Sequence, residues 1–130
     1  MEQLDRTDRD SGWSVRQLIS HLASAELAVA FVIRRALDGE VMHVTPADRD
    51  AFNAAQADQS GAWDVSRCTT ELRTAHEALR EVFEGMTEED LDRPIRWPEW
   101  PARTIRTSIP YILEHEDAHL DQVRRALDLD

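Results

Sequence analysis

Two histidines four residues apart, His115 and His119, lie in an apolar-periodic stretch near the C-terminus, YILEHEDAHLDQVRRAL (Tyr111 to Leu127). Side chains at this spacing stack on one face of a helix, so the two imidazoles can converge on one ion. At about 100° per residue, both fall within roughly 60° of Ile112 and Val123, the middle of the apolar stripe, and therefore point inward. A third histidine, His21, stands at the edge of the apolar stripe of an N-terminal helical pattern. Burying a histidine costs free energy unless both ring nitrogens are satisfied. Three neutral imidazoles suit Zn²⁺, Ni²⁺ or Fe²⁺ and leave coordination positions open, which a catalytic site requires. The spacing predicts a metal site of His21, His115 and His119 inside a helical bundle. The plainer alternative is a set of core or interface histidines bonded to backbone or carboxylates.

Glu116 also falls on the apolar face, about 40° from Ile112. A buried carboxylate needs a partner. Here it is expected to accept the second N–H of a metal-bound histidine, His21 above all, or to act as a base at the metal. Glu26 has a similar, weaker case, whereas Glu114 and Asp117 read as solvated. HEDAH (His115 to His119) matches the zinc-protease pattern H-E-x-x-H. Only 11 residues follow His119; none is histidine, the carboxylates Asp121, Asp128 and Asp130 are poorly placed or terminal, and no strand is expected to hold a peptide, so a protease is not expected. His76, between Leu72 and Leu79, reads as a satisfied core or pocket histidine rather than a fourth ligand, and His43 as a surface residue. Cys68 reads as a small buried hydrophobe rather than a nucleophile. Trp13 is expected to anchor packing. Trp97 and Trp100 are expected either to line a pocket mouth or to fill core.

Helical elements must carry these side chains. Ser14 with Gln17 resembles a capping box. From there Leu18, Leu22, Ala25, Val29, Val32 and Ala36 recur at helical spacing until Gly39, predicting a first helix over 14–38. Thr45 and Pro46 open a second, short and Ala-rich, to about Gln59. The third spans about Asp64 to Glu84, with Val65, Cys68, Leu72, Leu79, Phe83 and Met86 as its core stripe. TEEDL (Thr87 to Leu91) can add one helical turn. DRPIRWPEWPAR, with three prolines, forbids a regular helix and predicts a long loop. The fourth helix opens between Thr104 and Ser108. Pro110 kinks it if it starts early and sits in its first turn if it starts late. No stretch alternates as a strand does. The expected fold is all-α: a four-helix bundle with a long connection before the last helix.

The chain of 130 residues reads as one domain, 1–130, with a polar, frayed segment at 1–12. Its formal charge of −11, from 26 acidic and 15 basic residues, opposes binding to nucleic acid or an anionic membrane. Every basic residue is Arg, which excludes Schiff-base chemistry on Lys. No apolar run approaches the roughly 18 residues of a membrane span. One cysteine forms no internal disulfide, and the N-terminus lacks a signal-peptide core, so a cytoplasmic protein is expected.

Several motifs occur in order. They are GWSVRQLISHLASAE (Gly12 to Glu26), DAFNAAQADQ (Asp50 to Gln59), EGMTEEDLDRPI (Glu84 to Ile95) and ILEHEDAHLDQVRRAL (Ile112 to Leu127). Together they resemble the DinB/YfiT-like superfamily of small metal-binding four-helix bundles, across nearly the whole chain. The resemblance implies a divalent metal held by three histidines, carried here to His21, His115 and His119, and a homodimer. Relatives of this kind include transferases and isomerases that use mycothiol, bacillithiol or glutathione. The first expectation is therefore a metal-dependent thiol S-transferase or detoxification enzyme acting on a small molecule, with Glu116 as a catalytic group. Metal-assisted hydrolysis is the second. The third is a non-catalytic binding or stress-response module, to be preferred if a fourth protein ligand such as His76 closed the metal.

Overall fold

A computed structural model describes residues 3–98, 101 and 104–129. Four helices form the bundle: α1 (Val15–Leu37), α2 (Pro46–Gln59), α3 (Val65–Glu84) and α4 (Ile105–Ala126). Each starts where the sequence supplies a cap. Ser14 and Gln17, then Thr45 and Asp48, form reciprocal capping boxes, Asp64 accepts from the Arg67 N–H, and Thr104 accepts from the Thr107 N–H. Each cap satisfies amide groups that the first helical turn leaves without partners. Among the described residues there is no strand, only isolated bridges at Thr7–Ser14 and Pro94–Thr104. α4 starts early, so Pro110 lies inside it. A proline there removes one i→i−4 bond, that to the Arg106 carbonyl.

The central element is α1, which packs most extensively against α3 and touches α2 and α4 as well. Its length and composition would let it cross a membrane, contrary to the expectation that no stretch is apolar enough, but 56% of that window is buried inside the protein. It is the core helix of the bundle. Two apolar clusters sit at different heights along it. One gathers Val29, Val32, Ile33 and Ala36 of α1 with Val82, Ile95 and Ile105. The other gathers Leu4, Val15, Trp63, Cys68 and Ala126. Between them α1 carries the polar run Ser20, His21, Ser24 and Glu26, giving the bundle a polar waist. The long connection before α4 is closed at its base by the Ile105 N–H donating to the Arg93 carbonyl at 3.0 Å, and Ile95 from it plugs the core.

Two expectations, for Val65 and for the N-terminal segment, are corrected. Val65 is 64% exposed, and the buried residues of α3 are Cys68, Ala75 and Val82. α2 contributes no buried residue. It lies over the waist rather than within the core. The segment expected to fray is tied down over 3–12. Leu4 enters the core, and the fully buried Asp8 carboxylate takes two bonds from the Arg125 guanidinium of α4, at 2.9 and 3.2 Å. Hydrophobic burial at Leu4 and a bidentate ion pair offset the ordering entropy that polar composition alone suggests will win.

The Arg125 hydrogen bonds hold the Asp8 carboxyl far below the usual carboxylate range. A depressed carboxylate stabilises the fold above its unfolded pKa and loses that contribution as pH falls through the folded one. Stability is therefore expected to decline as pH drops below about 4, where the unfolded chain takes up a proton at Asp8 and the folded one does not. In Asp8→Asn the thermal midpoint at pH 7 is expected to be lower and the acid decline shallower. Melts between pH 3 and pH 7 measure both.

Candidate metal centre

The polar waist brings the three sequence-predicted histidines together. His21 comes from the second turn of α1, His115 and His119 from successive turns of α4. The Nε2 atom of His115 lies 3.2 Å from that of His21 and 3.1 Å from that of His119. Ring centroids are 4.5–5.2 Å apart. Ions bound by imidazole at 2.0–2.1 Å in tetrahedral array hold their nitrogens about 3.3 Å apart, so the spacing fits one small divalent ion. Burial, then the positive charge His119 and His115 would carry, lowers the pKa of His21 to about 4. It is therefore neutral at pH 7, the form that ligates. The Gln122 side-chain oxygen accepts from His119 Nδ1, which leaves the lone pair of His119 on Nε2, facing the other rings.

Trp13 was expected only to pack. It is 39% exposed and walls the site, parallel to the His119 ring at 6.4 Å and edge-on to His21 at 5.4 Å. The docked N-terminal segment places it there. The Trp13 carbonyl accepts from the Asp8 N–H at 2.9 Å, and Gly12 makes the turn at φ +77°, where a Cβ would be strained.

Glu116 is not placed as the sequence reading expected. It faces Glu26 and His76 on the α3 side of the bundle, with its Oε1 3.5 Å from His76 Nδ1. His76 in turn is half-exposed, not a core residue, and its Nδ1 lies 2.9 Å from Glu26 Oε2. Burial first, then Glu116, pushes the Glu26 carboxyl up to about 9. Cys68 is buried, as expected, and burial raises its thiol pKa, which disfavours a nucleophilic role. His43, Glu114 and Asp117 are exposed.

The histidine trio opens into a cleft of about 740 Å³ between α1, α2 and the long connection. Phe31, Val32, Phe52, Trp63 and Trp97 give it apolar walls, and Asn53 and Gln56 of α2 add amide groups. Trp97 thus lines the pocket and also packs against core, while Trp100 lies outside the described residues. Among the described residues, the metal-capable group at this site contains these three histidines and no fourth donor.

Fold and site together describe a small helical bundle with a three-histidine centre at the edge of an apolar cleft. The family model of the DinB superfamily matches residues 1–123, and the chain belongs to that superfamily. It is 25% identical over 133 aligned positions to a Bacillus subtilis (strain 168) protein named "Uncharacterized protein YuaE", covering 95% of this chain and 82% of that one. It is 35% identical over 88 positions to a "Putative metal-dependent hydrolase" of Bacillus pumilus (strain SAFR-032), covering 68% of this chain and 49% of the relative. A third relative, "Putative metal-dependent hydrolase YfiT" of Bacillus subtilis (strain 168), is 23% identical, covering 93% and 67%. No solved structure matches the chain significantly.

Proposed function

We propose that the protein is a metal-dependent enzyme that activates a low-molecular-weight thiol for S-transfer to a small apolar electrophile. The observation that carries this reading is the convergence of three neutral-capable imidazoles, with no fourth donor among the described residues, at the wall of an apolar cleft. Zn²⁺, Ni²⁺ and Fe²⁺ all accept such a donor set. Bound there, the ion supplies Lewis acidity that lowers the pKa of a thiol toward neutrality. The residues do the rest. His21, His115 and His119 hold the ion, Gln122 orients His119, and Trp13 shields the trio from solvent on one side. Phe31, Phe52 and Trp97 receive the apolar electrophile, and Asn53 and Gln56 offer amides to the polar parts of the thiol. The thiolate sulfur bonds to the electrophilic carbon, and the displaced group leaves with the electron pair.

The orientation of Glu116 supports this over protease-like chemistry. It faces α3, so H-E-x-x-H in this chain does not set a carboxylate base beside the histidines. Metal-assisted hydrolysis by activated water is the second reading, favoured by the names of the relatives and compatible with the same ligands. We place the protein in the cytoplasm, where such thiols are reduced, and expect a homodimer. Leu113 and Leu120, seven apart on one stripe of α4, are exposed apolar residues suited to such an interface.

The test is elemental analysis of untagged protein, followed by assay of electrophile conjugation with and without mycothiol, bacillithiol or glutathione, and of activated esters without thiol. Thiol conjugation that disappears on chelation and returns with the metal is expected. Ester turnover that needs no thiol would move the assignment to hydrolysis, and protein that takes up no divalent ion would end both readings. Gln122→Ala, which frees the His119 ring, is expected to weaken metal binding 10- to 100-fold, the usual cost of losing a residue that orients a ligand. Competition against a chromophoric chelator measures it.

A further inference from the structure

On the opposite side of α1 from the cleft, three chemically active side chains from three helices meet. They are Glu26 of α1, His76 of α3 and Glu116 of α4, with their ligand-capable atoms within 4.8 Å of one another. Glu26 is 6% exposed, and both of its carboxylate oxygens lack a hydrogen-bond partner. His76 Nδ1 approaches one of them to 2.9 Å without the alignment of a hydrogen bond. A second carboxylate, Glu116, faces the same space. Two carboxylates turned toward each other in a buried setting do not both stay ionised unless a positive charge lies between them; without a cation one of them, here Glu26, holds a proton.

We propose that Glu26, His76 and Glu116 form a second divalent-cation site, separate from the three-histidine centre. Two carboxylates and one imidazole are a mixed oxygen–nitrogen donor set, suited to Zn²⁺, Mn²⁺ or Fe²⁺. An ion there meets the orphaned oxygens of Glu26 and neutralises the pair. It reaches the site through the groove between α3 and α4, about 350 Å³, onto which His76 and Glu116 open between Phe83, Ile112 and Leu113. The site also bridges the groove between α3 and α4 at that level. The bound ion thereby staples α1, α3 and α4 at the waist. Positions 115 and 116, about 100° apart on α4, direct their side chains to the two different sites.

The proposal does not depend on the enzymatic reading, and bound-metal stoichiometry separates them. Full-length untagged protein is stripped with chelator, saturated with Zn²⁺, desalted and analysed for metal. Two ions per chain are expected for the parent. His76→Ala, at a half-exposed position, and Glu26→Gln, an isostere, should each retain one. His115→Ala should retain one, and the double variant with His76→Ala none. Should Glu26→Gln fail to fold, His76→Ala still decides. A parent that binds a single ion, retained in His76→Ala, would overturn the second site and leave a protonated hydrogen-bonded trio. A single ion lost in His76→Ala but kept in His115→Ala would support it and count against the histidine centre instead.

Discussion

His115→Ala is expected to lose one bound divalent ion per chain, and with it the thiol-dependent activity. His115 is the central ring of the trio: its Nε2 lies within 3.2 Å of both the His21 and the His119 nitrogens. Removing it leaves only His21 and His119, two ligands where the centre offers three. The affinity loss should exceed the 10- to 100-fold typical of a supporting residue such as Gln122. Because His115 is partly exposed at the cleft and carries little of the apolar core, secondary structure should survive. Circular dichroism together with metal analysis checks both halves. Retention of the ion with loss of activity would make His115 a substrate-facing residue. Retention of both would remove the site from the chemistry.

Ile33→Ala is expected to produce the largest loss of stability. Ile33 is fully buried in the cluster where α1 meets Val82 of α3, Ile95 of the long connection and Ile105 of α4. Truncating such a side chain removes its transfer free energy and leaves a cavity, at a cost of about 2–5 kcal/mol. Four segments of chain surround the position, so collapse around the cavity is restricted and the upper half of that range is expected. Urea unfolding measures it, with the midpoint reduced and the slope unchanged. Metal stoichiometry should stay at the parental value below the transition, since Ile33 lies three turns along α1 from His21.

The helices were legible because their signals are local. Ser14 with Gln17, Thr45 with Asp48 and Asp64 with Arg67 each bond within a few residues, so the caps appear where the sequence places them. Pairing His115 with His119 needed only the turn of one helix. Bringing in His21, 94 residues earlier, needed the inward edge of a second apolar stripe and the resemblance to a family. One further signal was available: the apolar stripes of α1, α3 and α4 are interrupted at matching heights, by His21 and Glu26, His76, and His115 with Glu116. Interruptions that line up across helices mark a shared polar layer.

By itself, then, the sequence determined the helices, their order and the three inward imidazoles, because periodicity and capping act over one or two turns. Only the tertiary structure decided where each inward side chain goes. The inward arc of α4 is wide enough to face two neighbours, so adjacent residues serve different clusters, and Glu116 turns to Glu26 and His76 rather than to the trio. It also decided that the polar N-terminal segment docks, because the Arg125 that holds Asp8 is 117 residues away and no local pattern records such a partner. Side-chain type and spacing specify which groups leave solvent; only the packing of one helix against another specifies which of them meet.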